Sequence, residues 1–385
     1  WLLLEEKQIP YRIEKVPMRS YGDKPDWFLK IVPSGLLPAI KLDGRLMTES
    51  LVIMQTLDQT FADGHAAMLP PSSSPKFDLA NKLLSLERGL FGDWCQLTFR
   101  PSFGSASRNA FESTLTEVDA SLRATDGPWF LGGDSPSLVD LQYISHIERM
   151  AASVAYWKGM QLRNTRQWPA LETWFRAFEE RPSYQATKSD YYTHVMDIPP
   201  QYGPAFADSD KFSPDIDGRD GSWSLPLPPL ADDVVQPNWV PSHVTTETAD
   251  TAARHEAAWK LVTNHKAVTR FCLRGAGRQG RKRFQAPLAD PYAEPNEALA
   301  PAMDLVLRRV AMHLLEGPSD IEAMTKTLLE DLDLANNGNA QRAAQIADCT
   351  RYLQERVGVP RDYSYPAARQ LRGHLGWVLD ALKKA

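Results

Sequence analysis

The chain has 385 residues, 43% hydrophobic and 24% charged. That is ordinary globular composition at a length that favours two or three domains. A formal charge of −5 and a pI near 6.0 give no global attraction for nucleic acid or for an anionic membrane. No apolar run approaches the ~20 residues of a membrane span. Cys95, Cys272 and Cys349 form no CxxC or zinc spacing. A disulfide framework is therefore not expected, and a reducing intracellular compartment is.

The chain opens at Trp1 with no readable leader, so the expectation is that one was removed or that residues precede it. WLLLEEKQ predicts the end of a helix, apolar at Leu2 to Leu4 and stopped by Ile9-Pro10. YRIEKV alternates, with Tyr11, Ile13 and Lys15 on one face, and predicts a short strand. After the loop MRSYGDKPDW comes a predicted hairpin: strand Ala39–Leu42, turn Asp43-Gly44, strand Arg45–Thr48. Ile53, Met54, Leu57 and Phe61 then share one helix face. Helix, strand, hairpin and helix in this order make a small thioredoxin-like α/β layer without its first strand.

LPPSSSPKF (69–77) has linker composition, and the pattern beyond it is helical. In WFLGGDSPSLVD, Ser137 and Asp140 form a capping box where an apolar helix begins. Pro169 lies in the first turn of another helix, whose stripe is Leu171, Trp174, Phe175 and Phe178. From about Tyr191 the composition turns proline-rich, as in IPPQYGPAF and SLPLPPLADD, and predicts an extended linker lying along a domain surface. Three amphipathic stripes follow and predict a small helical bundle. The first is Ile321, Met324, Leu328 and Leu332 behind a Ser319–Glu322 capping box; the second is Ile346, Cys349, Leu353 and Val357; the third is Leu371, Leu375, Val378 and Leu382. The expected domains are 1–62 (α/β), 76–190 (all-α), a 191–245 linker and a 246–385 helical extension.

Two further signals carry less. GAGRQG (275–280) matches GxGxxG, but a dinucleotide loop needs a strand before it and a helix after it, whereas RKRFQAP follows. Arg270, Arg274, Arg278, Arg281, Lys282 and Arg283 form a basic cluster, which in an otherwise acidic chain reads as a solvated loop. The eight histidines make no HxH, HExxH or His-Cys pattern, so no metal is expected.

DKPDWFLKIVPSGLLPAIKLDGRLMTESLVIMQTLD (23–58) resembles the N-terminal domain of cysteinyl glutathione transferases of the omega, lambda and dehydroascorbate-reductase types. Leu37-Pro38 before the third strand and Glu49-Ser50 opening the next helix carry the resemblance, which covers about half the chain. SLVD and WPALETWFRAF match the family's helical half. The resemblance implies a thioredoxin-like layer and an all-α glutathione-transferase domain, here with a further helical domain. It implies glutathione as co-substrate, held by Lys24, Leu37, Pro38, Glu49 and Ser50. Ser50 and the helix N-terminus would take the γ-glutamyl carboxylate, and Glu49 the ammonium. The peptide before Pro38 would be cis, the Leu37 backbone would pair with the cysteinyl backbone, and Lys24 would take the glycyl carboxylate. The family's catalytic Cys or Ser would lie upstream of Trp1. Trp94, Arg100 and Trp129 are the candidates for an acceptor cleft. The reaction expected is reduction of mixed disulfides, dehydroascorbate or quinone-like electrophiles, or conjugation, in the cytoplasm or plastid stroma. The alternative is a non-catalytic scaffold in a homodimer or larger assembly. Neither nucleic acid nor a membrane is an expected partner.

Overall fold

The computed structural model describes residues 1–18, 23–62, 67–101, 104–229, 235–237, 244–280, 290, 292–317, 320–335 and 339–385. They fall into two compact units. The first comprises the described residues of Trp1–Thr187 and Ile198–Asp210; the second comprises those of Lys188–Asp197 and Lys211–Ala385.

The first unit begins with helix α1 (Leu2–Glu6) and helix α2 (Asp26–Ile31). The antiparallel hairpin β1 (Ala39–Leu42) and β2 (Arg45–Thr48) and helix α3 (Ser50–Thr60) follow. Both hairpin strands span the predicted residues, with Ala39 opposite Thr48 and Leu42 opposite Arg45. The turn residues Asp43 (φ 48°) and Gly44 (φ 82°) are both left-handed. A two-residue hairpin with the native strand twist demands this, and Asp-Gly supplies it at low cost. The strand expected at Tyr11–Val16 does not form. Residues 11–18 carry no regular element, and Tyr11 and Ile13 are exposed. Alternation marks which face would be buried, but a strand also needs a paired edge; among the described residues the sheet has only β1 and β2.

A buried ion pair joins this layer. Lys7 Nζ lies 2.6 Å from Asp58 Oδ1, with both residues 3% exposed or less. The Asp58 carboxylate also accepts the Met68 amide at 3.0 Å and the Leu69 amide at 2.9 Å. The Met68 carbonyl in turn accepts the Leu138 amide at 2.9 Å. One carboxylate thus connects α1, α3 and the segment leading into the helical layer.

That layer consists of α4 (Pro75–Phe99), α5 (Ala106–Arg123), α6 (Leu138–Lys158), α7 (Pro169–Glu179) and α8 (Pro182–Thr187). Helix α6 starts at the predicted capping box. Asp140 accepts from Ser137 N (2.8 Å), Ser137 Oγ (2.6 Å), Phe130 N (3.0 Å) and Trp174 Nε1 (2.9 Å). The predicted stripe Leu171, Trp174, Phe175 and Phe178 is fully buried. Tyr143 on α6 donates to the Leu83 carbonyl of α4 at 2.7 Å.

The described part of the proline-rich stretch contains three short helices: α9 (Tyr191–Asp197), α10 (Pro199–Tyr202) and α11 (Ser213–Asp217). Helix α10 belongs to the first unit; α9 and α11 belong to the second.

The second unit adds α12 (Thr246–Thr263), α13 (His265–Cys272), α14 (Ala300–Glu316), α15 (Ile321–Asp331), α16 (Ala340–Gln354) and α17 (Tyr365–Leu382). Helix α17 is its centre, packed on α12, α14, α15 and α16 and buried on nearly every side rather than along one stripe. The third predicted stripe is accordingly only part of its buried surface. A Cβ on Gly376 would stand 1.9 Å from the Trp223 carbonyl, so this glycine lets the proline-rich chain lie directly on α17. The cap of α15 is Asp320, which accepts the Glu322 amide at 3.1 Å and the Ala323 amide at 3.0 Å. The expected cap, Ser319, lies outside the described residues. In GAGRQG, a Cβ on Gly277 would meet the Glu294 carbonyl at 1.8 Å. The motif's glycine serves close backbone packing, with no strand leading into it and no helix leading out among the described residues.

Two predictions follow from burial. Asp58→Ala leaves Lys7 charged and buried without its partner, and should cost about 3–5 kcal/mol in urea unfolding. Lys7→Met with Asp58→Leu should recover most of that loss. The second concerns His374 in α17, which is fully buried. Desolvation lowers its pKa from 6.5 to about 4, and the His313 and Arg254 charges add to the lowering. Its Nδ1 lies 2.7 Å from the Gln370 carbonyl. The unfolded chain binds the proton first, so stability should fall as pH drops from 6.5 towards 4, by about 3 kcal/mol at full extent. Urea midpoints measured across this range should show a smaller acid loss for His374→Gln than for the native chain.

Candidate functional site

The hairpin register brings two of the candidate glutathione residues, Pro38 and Glu49, to one end of the hairpin. Because Ala39 pairs with Thr48, the preceding Pro38 and the following Glu49 flank the same end of the hairpin. The Leu37–Pro38 peptide is cis. Leu37 is 40% exposed, and Glu49 and Ser50 are also exposed. Lys24 lies near Gly35, two residues before Leu37: a Cβ on Gly35 (φ 65°) would be 3.8 Å from Lys24 Cγ. Lys24 Nζ donates to the Pro17 carbonyl at 2.5 Å and stands 5.8 Å from the Phe28 ring centre.

Glu49 has φ 68° and ψ 105°. A non-glycine residue held at positive φ is uncommon and stores strain, and such residues cluster at ligand sites. Its side chain makes no capping bond to α3, although its carbonyl accepts the Ile53 amide at 2.9 Å. A plain N-cap would turn its side chain onto the helix amides. Here the carboxylate makes no such bond, and it stands beside the N-terminus of the 11-residue α3.

The three acceptor-cleft candidates do not converge. Trp94 is 1% exposed, and its indole N–H donates to Ser153 Oγ at 2.8 Å. Trp129 is 2% exposed and packs edge-on against Phe178 at 4.9 Å. Arg100 is exposed at the C-cap of α4. A neighbouring face of α4 is more open. Phe91, Cys95 and Phe99 lie half-buried along it, and Tyr202 of α10 stacks on Phe99 at 5.6 Å. His146 of α6 pairs with the buried Glu87 and lies 4.9 Å from the Phe91 ring. The spacing of residues 91, 95 and 99 was readable as a helical stripe; the arrival of Tyr202 from a distant segment was not.

None of the three thiols is activated. Burial raises the pKa of Cys95 despite Arg88 and Arg100, raises that of Cys272, and raises that of Cys349 to about 11. A cavity of 330 Å³ between the layers of the first unit contains none of the five predicted glutathione residues. Its charged groups are engaged locally: Lys7 by Asp58, Arg181 by Glu6 and Lys76 by the Leu131 carbonyl. Arg270 and Arg278 of the basic cluster pair with Glu297 and Glu294, while Arg281, Lys282 and Arg283 lie outside the described residues. Among the described residues no group of three His, Cys, Asp or Glu is placed to hold a metal, and no helix is long and apolar enough to cross a membrane.

Comparison with known proteins bears on the same half of the chain. Residues 1–60 match the model of the glutathione S-transferase N-terminal domain, and residues 77–177 that of the C-terminal domain. Glutathione S-transferase DHAR2 of Arabidopsis thaliana is 24% identical over 188 residues, 49% of this chain and 80% of that protein. Probable glutathione S-transferase DHAR2, chloroplastic, of Oryza sativa subsp. japonica is 31% identical over 157 residues, 41% of this chain and 52% of that protein. The solved structure of glutathione transferase Omega 3C from Trametes versicolor is 25% identical, covers 48% of this chain and 76% of its own, and has a TM-score of 0.40. By the two domain-model matches, the small α/β layer is thioredoxin-like and is followed by the helical transferase layer. The two domain models thus match in order along the first half of the chain, which is similar there to the glutathione S-transferase family.

Proposed function

We propose that the first unit binds glutathione at the end of the β1–β2 hairpin. The protein then acts as a glutathione-dependent transferase or thiol reductase on a small oxidised or electrophilic substrate. The observation that carries this is Glu49, strained at positive φ and held by the register beside Pro38. In this reading the γ-glutamyl carboxylate meets the Ser50 hydroxyl and the amides opening α3, where the helix dipole favours an anion. Glu49 takes the ammonium as a charge-assisted hydrogen bond. The Leu37 backbone pairs with the cysteinyl backbone, and Lys24 takes the glycyl carboxylate in place of the Pro17 carbonyl.

The reacting thiol or hydroxyl is proposed to lie upstream of Trp1. In the cysteine version its thiolate attacks the glutathione sulfur of a mixed disulfide or glutathione adduct, breaking that bond and expelling the reduced substrate; a second glutathione thiolate then attacks the protein–glutathione disulfide, releasing the protein thiolate and oxidised glutathione. The proposed setting is a reducing compartment, cytoplasm or plastid stroma. A second reading, a scaffold, draws support from the second unit, which has a hydrophobic core of its own and lies outside the matched residues.

Calorimetric titration with glutathione separates the two. Glu49→Gln and Ser50→Ala should each weaken binding about ten- to a hundredfold, the range of a hydrogen bond to a charged group. Affinities unchanged in both variants would remove the glutathione site. A native chain that binds no more tightly than Glu49→Gln belongs to the scaffold reading.

A further inference from the structure

Residues Ile198–Asp210 belong to the first unit, although the chain on either side of them belongs to the second. They are fixed at two places. Ile198, at the head of α10, is 1% exposed. Further on, the Phe206 amide donates to the Thr98 carbonyl at 2.9 Å, and the Asp208 amide to the Trp157 carbonyl at 2.9 Å. The Asp208 carboxylate also holds Lys158 Nζ at 3.2 Å, an ammonium on a side chain only 1% exposed. A buried ammonium deprived of its carboxylate is costly, so this end resists displacement. Between the two anchors, none of the residues from 199 to 205 is buried.

This span carries Tyr202. Its ring stacks on Phe99 at 5.6 Å and meets Phe91 at 6.0 Å and Trp94 at 5.5 Å edge-on. It lies close enough to Cys95 for the two to interact electrostatically. Tyr202 thus covers the half-buried stripe of Phe91, Cys95 and Phe99, yet is itself 39% exposed. The Tyr202 and Gly203 amides bond within the α10 turn, to the Ile198 and Pro199 carbonyls at 3.1 Å and 2.9 Å. Gly203 has φ 100° and ψ 176°, a region open essentially to glycine alone. Nothing lies within 4 Å of where its Cβ would stand.

A span with little buried surface, joined by one short turn, lies at the low-stability end of a fold. Opening it separates one ring from its aromatic neighbours and unwinds that turn, while both anchors stay in place. We propose that residues 199–205 are a flap, with Tyr202 as its plug, that controls the access of small molecules to the Phe91–Cys95–Phe99 face of α4. None of its contacts involves the five candidate glutathione residues, so the flap stands or falls independently of that site.

The test reads Cys95. Cys272 and Cys349 are 0% exposed, which leaves Cys95 as the thiol that the flap covers. The full chain is alkylated with N-ethylmaleimide and followed by intact mass with peptide mapping. Gly203→Ala adds no contact but strains the closed backbone, and should raise the Cys95 rate about tenfold. Tyr202→Ala should raise it by at least as much, whereas Tyr202→Phe, which keeps the ring, should match the native chain. Unlabelled Cys272 and Cys349 report an intact fold in each variant. A native rate in Gly203→Ala overturns the proposal, and a rise confined to Tyr202→Ala makes the ring a fixed cover and overturns it too. Hydrogen exchange of the native chain is a second arm that needs no variant. The Tyr202 and Gly203 amides should exchange at least about tenfold faster than those of Phe206 and Asp208. Equal protection of the two pairs overturns the flap as well.

Discussion

The Asp58 carboxylate holds the first unit in register. It accepts Lys7 from α1 and the Met68 and Leu69 amides from the segment that leads to the helical layer, while being itself part of α3. A buried ion pair of this kind is a weak source of net stability, because desolvating two charges offsets most of their attraction. Its effect is geometric: any arrangement that separates the partners leaves a charge buried alone. That fixes the direction of α3, and with it where Glu49 and Ser50 meet the hairpin end. The β1–β2 hairpin is too small a sheet to hold a helix in place unaided, so the polar anchor at the far end of α3 carries much of that constraint.

The helical layer solves a similar problem with neutral donors around one acid. Asp140 gathers amides from residues 130 and 137, the Ser137 hydroxyl and the Trp174 indole, and so joins α6 to α7 and to the loop before it. Burial raises the pKa of this carboxyl, and the four donors oppose the rise. Because α6 packs against α1, α3 and α4, its start point sets the position of the half-exposed aromatic face on α4. In the second unit the organising constraint is steric. Helix α17 admits the proline-rich chain at Gly376, and Arg369 of α17 donates to the Pro228 carbonyl of that chain.

Local signals in the sequence were reliable where the physics is local. Asp43-Gly44 determines a two-residue turn because only a few residues tolerate two successive left-handed conformations, and both flanking strands span the predicted residues. Ser137 and Asp140 mark a helix start because their donors and acceptors lie within one turn. The Leu171–Phe178 stripe is buried because 3.6 residues per turn brings those side chains onto one face. The five candidate glutathione residues were named from family resemblance; the hairpin register sets two of them, Pro38 and Glu49, at the same end of the hairpin.

Tertiary structure alone decided the rest. Tyr11–Val16 alternates like a strand yet forms none, since pairing depends on a second chain segment and not on its own pattern. The tryptophans chosen for an acceptor cleft are interior packing, because a sequence shows that a side chain is aromatic but not which neighbours cover it. The glycines of GAGRQG serve backbone contacts to residues far away in the chain. Arg369 gave no signal in the sequence: its burial and its bond to the Pro228 carbonyl depend on a segment 141 residues earlier in the chain. The sequence by itself determined turns, caps and helix faces, whose energies are set within a few residues. The tertiary fold decided exposure, charge pairing and the shape of cavities, whose energies depend on residues that meet only after folding.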